Sequence, residues 1–194
     1  TKNSYLISSL SDNGNGIVSP GTGAFQLVYT TSRSKDNALD SDYWIIRNIS
    51  GQQYTFQNSA SGKYIRHDLT VTNDRAALVL VNDLQSDNST SFTLEWKENG
   101  GISYYVIRSV ASTTRIWNRR LSLTSSVYPV GVYNGMGGSN EVFVFTDSEG
   151  NAAQDDGKVT VPIESDATLG VFGKYLQSFI IRGKTPVPDT SKTY

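Results

Sequence analysis

The sequence predicts an all-β protein made of three similar units of about 50 residues, with a C-terminal extension. Three observations carry this. Short runs of alternating or β-branched apolar residues recur along the chain, at the period of strands rather than of helices. The runs repeat: YLISS from Tyr5, YTFQN from Tyr54 and YVIRS from Tyr105 start 49 and 51 residues apart. Few windows offer an amphipathic helix of useful length, and KDNALDSD (35–42) and DLQSDNST (83–90) have room for one short helical turn each.

The elements follow in order. Each unit opens on a tyrosine-led strand at Tyr5, Tyr54 or Tyr105. A second strand is legible in two units, as GKYIRHD (62–68) and TTRIWNR (113–119). A third appears in all three, as AFQLVYT (24–30), AALVLVN (76–82) and YPVGVYN (128–134). A fourth closes each, as DYWIIRN (42–48), TSFTLEW (90–96) and EVFVFTD (141–147). The units therefore span about 3–50, 51–101 and 102–152. Four short strands cannot bury their own apolar face. Three such units about a pseudo-threefold axis close a small barrel capped by hairpins, without free edges. Trp44, Phe92 and Phe143 fall at equivalent places and are expected to fill one layer of that barrel.

The repeat stops near residue 152, and 153–194 is read as an extension of the domain or the start of a further β domain. It offers one strand near 159–163 and another near 176–182, with a short helix at 169–177 as an alternative. The closing KTPVPDTSKTY reads as proline-rich polar chain.

Composition narrows the function classes. Seventeen basic and 18 acidic residues leave a net charge of −1, with no basic stripe, so nucleic acid is not expected as a partner. No apolar stretch reaches the ~20 residues of a membrane span. There is no cysteine and one histidine, which excludes a disulfide scaffold and argues against zinc. No cofactor is implied. His67 reads as a surface histidine, because Asp68 beside it on a strand is badly placed to orient it for nucleophilic catalysis. The acidic stretches DNALDSD (36–42) and DSEGNAAQDD (147–156) read as solvated loops rather than calcium sites. The chain is not expected to be an enzyme. Richness in Asn, Ser, Thr and Tyr points to a secreted or bacterial surface protein, and the abrupt ends suggest a piece of a longer precursor whose other domains are candidate partners.

The threefold pattern resembles the β-trefoil, and specifically the ricin-type lectins, whose fourth strands carry Gln-x-Trp. Here Asp42-Tyr43-Trp44, Thr90-Ser91-Phe92 and Glu141-Val142-Phe143 occupy those places, keeping the aromatic and replacing the glutamine. SGKYI (61–65) is similar to the family's second-strand opening, and the resemblance covers about 3–150. It implies a sugar pocket in which an aromatic ring stacks on the C–H face of a pyranose while short amides and carboxylates bond its hydroxyls. Carried over to the third unit, Tyr133 stands for the ring, Asn140 for the asparagine and Glu141 for the glutamine, with Asn134 beside them. Trp117 or Asn118 falls where the family has an aspartate. The second unit places Val81 and Arg66 at the ring and aspartate positions, and in the first unit Tyr29 is the candidate ring.

The stretch NGMGGSNE (134–141) has two readings at this stage. It is a plain loop whose glycines and asparagines tolerate positive φ, or it is the rim of a glycan site. The chain as a whole is expected to be a non-catalytic carbohydrate-binding module with a shallow pocket on its third unit. The alternative is a structural or protein-interaction β-trefoil without sugar binding.

Overall fold

A computed structural model describes residues 4–10, 15–72, 75–99, 101–120, 128–135, 138–153, 179–182 and 185–188. The chain divides into two compact units, residues 1–162 and 163–194. The strands of the first are β1 (Ser4–Ser9), β2 (Ile17–Pro20), β3 (Leu27–Thr30), β4 (Trp44–Ser50), β5 (Gln53–Asn58), β6 (Tyr64–His67), β7 (Arg75–Val81), β8 (Phe92–Asn99), β9 (Ile102–Ser109), β10 (Ile116–Asn118), β11 (Tyr128–Pro129), β12 (Gly131–Tyr133) and β13 (Phe143–Thr146). Short 3-10 turns occupy Lys35–Asn37 and Asp40–Asp42. Among the described residues no helix is long and apolar enough to cross a membrane.

Six strands close a barrel. β1 pairs with β4, β4 with β5, β5 with β8, β8 with β9, β9 with β13, and β13 returns to β1, all antiparallel. The ring leaves none of these strands with an open edge. Six of the remaining seven strands form three hairpins, β2–β3, β6–β7 and β10–β12, and β11 joins them. They meet as a cap: β3 pairs with β11, β7 with β12, and Val130 links the two sides by donating its N–H to Leu27 O and accepting from Leu78 N–H. This is a β-trefoil.

Register fixes which residues are equivalent. Val18 faces Tyr29, Ile65 faces Leu80 and Trp117 faces Val132 across the three hairpins. Tyr5, Tyr54 and Tyr105 face Trp44, Phe92 and Phe143 across the barrel. One backbone bond recurs in every unit: Leu10 N–H to Val142 O, Ser59 N–H to Tyr43 O, and Val110 N–H to Ser91 O.

Trp44, Phe92 and Phe143 are fully buried, as equivalent bulky positions of a barrel layer require. Ile7, Phe56 and Ile107 join them from the first strands, and Val18, Ile65 and Trp117 from the second. Trp117 is 0% exposed, with Phe56, Phe92 and Phe143 at centroid distances of 4.9, 5.3 and 6.0 Å. Each aromatic pair of this kind adds about 0.5–1.5 kcal/mol beyond its buried area.

The second strand of the first unit, Ile17–Pro20, gave no sequence signal because only Ile17 and Val18 are apolar before the proline. Pro20 stands where His67 and Arg119 donate N–H groups to Ser89 O and Asn140 O, so this unit lacks that link.

In the second compact unit, β14 (Phe179–Arg182) lies within the strand expected at 176–182. It pairs with β15 (Thr185–Pro188), where the sequence suggested proline-rich coil. Pro186 and Pro188 lie two apart, so both missing N–H groups turn to the same, outer edge of a two-stranded hairpin. The elements expected at 159–163 and 169–177 lie outside the described residues.

Candidate functional site

Strands β10 and β12 alternate their side chains across the sheet. Trp117 and Val132 point inward, which puts Asn118 and Tyr133 on the opposite face. Placing Trp117 among candidate ligand residues is therefore corrected: its ring is consumed by the core and offers a ligand no surface. Asn118 takes the position alone. It is half-buried, its Oδ1 accepts the Arg120 N–H at 2.8 Å, and its Nδ2 points to Glu141 Oε1 at 3.4 Å.

Glu141 is 6% exposed. Its Oε2 accepts the Gly138 N–H at 2.7 Å. The carboxylate passes so close to the backbone of Gly135 that any Cβ there would collide with it. Gly135 does not adopt positive φ. The glycine at 135 serves the approach of Glu141, not backbone freedom. Gly135 also donates its N–H to Tyr133 O at 2.8 Å, which turns the chain tightly off β12.

Tyr133 is half-buried, and the guanidinium carbon of Arg75, its cross-strand partner on β7, lies 5.4 Å from the ring centroid. Asn134 is exposed and Asn140 half-buried at the two ends of the loop, and Asn140 O accepts the Arg119 N–H at 2.9 Å. The structure thus joins Asn118, Gly138 and Glu141 directly. It sets Tyr133 on the same face two residues along the strand, with Asn134 and Asn140 on the adjoining loop.

The equivalent positions differ in the other units. The first has Ser19, Thr30, Ser41 and Asp42. Asp42 is fully buried, accepts the Leu39 N–H at 2.8 Å and pairs with Arg33 at 2.7 Å. The second has Arg66, Val81, Ser89 and Thr90. Arg66 Nε donates to Ser89 Oγ at 3.3 Å, and Thr90 Oγ1 accepts the Gln85 N–H at 3.0 Å. Asp42, Thr90 and Glu141 therefore share a structural task, the capping of the loop that enters the fourth strand. Three different acceptors at one repeat position were the sequence signal for it.

Two further expectations are corrected. Tyr29 is 2% exposed, with its hydroxyl accepting from Ser9 N–H and donating to Gly16 O, so it is no stacking ring. It falls on the inward side of its strand, as Leu80 and Val132 do. His67 is not a surface histidine: it is 3% exposed, with Nδ1 2.9 Å from Ser109 Oγ. Alternation along β6 turns it inward with Ile65. Asp68 is bound by the Thr70 hydroxyl and N–H, which hold its carboxyl below the usual range. With His67 buried and the Asp68 carboxylate engaged elsewhere, no nucleophilic triad forms here. Of the acidic stretches, Asp36 pairs with Lys35 and Asp147 caps its own turn through the N–H groups of Glu149 and Asn151.

No family model matches the chain, and no curated protein matches it significantly. Solved structures do. A designed three-fold symmetric protein, ThreeFoil, superposes with a TM-score of 0.60 at 17% identity, over 75% of this chain and 99% of the other. The BEL β-trefoil gives 0.57 at 14% identity, over 74% and 92%. A Polyporus squamosus lectin bound to a human-type influenza-binding epitope gives 0.59 at 16% identity, over 75% of this chain and 49% of the lectin. At such identities the likeness is one of fold, and it places this chain among β-trefoil structures.

Proposed function

We propose that the chain is a non-catalytic carbohydrate-binding module, with a shallow glycan site on the third unit built from Tyr133, Asn134, Asn118, Asn140 and Glu141. One observation carries this. The third unit alone sets an aromatic side chain on the same face as a contacting amide and carboxylate. The first unit neutralises its carboxylate with Arg33, and the second has Val81 and an Arg66 whose Nε donates to Ser89 Oγ. The ring of Tyr133 supplies apolar area at small entropic cost, and the amides supply paired donors and acceptors for hydroxyls. The likeness to a lectin that was solved with a sialylated glycan supports the class of ligand without naming it. The reading extends to an extracellular setting, where such a module holds a larger protein near polysaccharide.

The test is a glycan array with the parent chain, Tyr133→Ala and Asn118→Ala. Selective binding by the parent, reduced at least tenfold by either substitution, is expected. Binding unchanged in both variants would move the site off the third unit, and a parent silent at millimolar glycan would end the carbohydrate reading.

A further inference from the structure

An open cleft of about 420 Å³ lies between the start of β4, the turn after β5 and the chain that follows β13. It is lined by Ser4, Asp40, Tyr43, Ser59, Ala60 and Ser148. Its volume falls within the ~300–1,000 Å³ typical of small-molecule sites.

The pseudo-symmetry shows how the cleft arises. The bond from Ser59 N–H to Tyr43 O is the counterpart of that from Leu10 N–H to Val142 O. Barrel register places Ser4 where the third unit has Tyr104. In the third unit this place is filled: Val142 packs with Val106 and Ile116, and Leu10 and Tyr104 pack against them. Where the first unit meets the second, the three positions carry Tyr43, Ser59 and Ser4, and the space stands open. A patch of core has been exchanged for one aromatic ring and hydroxyls, which forfeits apolar burial.

Three of the polar groups there are not spent on the fold. Among the described residues, the Asp40 carboxylate, the Tyr43 phenol and the Ser148 hydroxyl make no hydrogen bond or ion pair within the chain. Ser59 Oγ is fixed by donating to the Asp40 backbone O at 2.9 Å, which leaves its lone pairs to accept. An ionised carboxylate only accepts, and its two oxygens suit two adjacent hydroxyl donors. Among the described residues no basic side chain lines the cleft, so Asp40 disfavours an anionic ligand.

From this geometry we infer that the cleft is a second ligand site, independent of the third-unit site, for one neutral sugar residue. Tyr43 is its platform and Asp40 the acceptor for paired hydroxyls, with Ser4, Ser59 and Ser148 at the rim.

The experiment is an amide-resolved NMR titration of the full chain with methyl glycosides of galactose, glucose, mannose and N-acetylglucosamine. At least one glycoside is expected to shift the amides of residues 40–43, 59, 60 and 148. Asp40→Asn and Tyr43→Ala should each weaken that response at least fivefold, while the remaining spectrum stays folded. Tyr133→Ala should leave it unchanged. Methyl glucuronide should shift these amides at least fivefold more weakly, and equal binding would overturn the part given to Asp40. Shifts confined to residues 133–141 would overturn the second site and leave the third-unit reading standing. Shifts confined to the cleft would do the reverse. A response at the cleft that survives both Asp40→Asn and Tyr43→Ala would also overturn it.

Discussion

Trp44 and Trp117 are two fully buried indoles in one core, and they differ by one hydrogen bond. Trp44 Nε1 donates to Val18 O at 2.9 Å, whereas Trp117 Nε1 has no acceptor among the described residues. Replacing either by Phe removes similar volume, but only Trp44→Phe strands a buried carbonyl. We expect Trp44→Phe to cost about 1 kcal/mol more than Trp117→Phe in urea unfolding, the size of one buried hydrogen bond; equal costs would mean the Trp44 bond contributes nothing net. His67 gives a second expectation. Burial, then Arg115 with a smaller push from Arg66, holds its imidazole below the usual 6.5, against the opposing charge of Asp68. The unfolded chain takes up the proton first as pH falls, so stability is full above pH 6.5 and declines between 6.5 and the lower folded value. The decline is at most about 1.4 kcal/mol per pH unit, and His67→Gln should flatten it in denaturation series from pH 7.5 to 5. Neither role was legible in the sequence. Trp117 has Arg115, Asn118, Arg119 and Arg120 around it, which suggests a half-wet residue. Two-residue alternation along β10 puts that ring in the core, whatever its chain neighbours are.

The loop from β12 to β13 shows what an element adds to its residues. Its sequence allowed either a plain turn or a ligand rim, and the structure shows Glu141 lashed to Gly138 and Asn118 across the loop. A carboxylate at the end of a flexible side chain ordinarily yields to a new Cβ. Here it is held on both oxygens, so Gly135→Ala must displace it. That variant is expected to lose about 1–2 kcal/mol of stability and to lose glycan binding more than it loses structure, read by thermal unfolding beside the array signal. A variant of parental binding would separate the loop from the site. The strands themselves were largely readable: the first, third and fourth of each unit announce themselves by alternation and by the tyrosine or aromatic at a fixed place. The strands that were missed carry too few apolar residues to show a period. β2 has two before Pro20, and β15 alternates proline with threonine and valine, a pattern that makes sense only once an edge is available to hide the missing N–H groups.

At the largest scale, the decisive pairing is the one between the first strand of the barrel and its last. β1 lies between β13 and β4, and no local contact announces that closure. Removing residues 1–9 would expose the edges of both neighbours at once. The truncated chain is expected to lose its folded monomer and aggregate, seen by size exclusion and circular dichroism; a soluble monomer with the parent spectrum would mean that the barrel tolerates a missing stave. The same closure brings the two ends of the barrel together. Leu6 sits opposite Thr146, Ala152 bridges Thr146, and Ser4 and Ser148 line one cleft. Where the polypeptide is cut is then incidental to the architecture. Joining 153 to 4 through a short linker and reopening the chain at the exposed Gly51–Gln52 turn should give a circular permutant with the same core. By the same token the domain is shaped for grafting into a surface loop of a host protein, entering and leaving through a single narrow doorway.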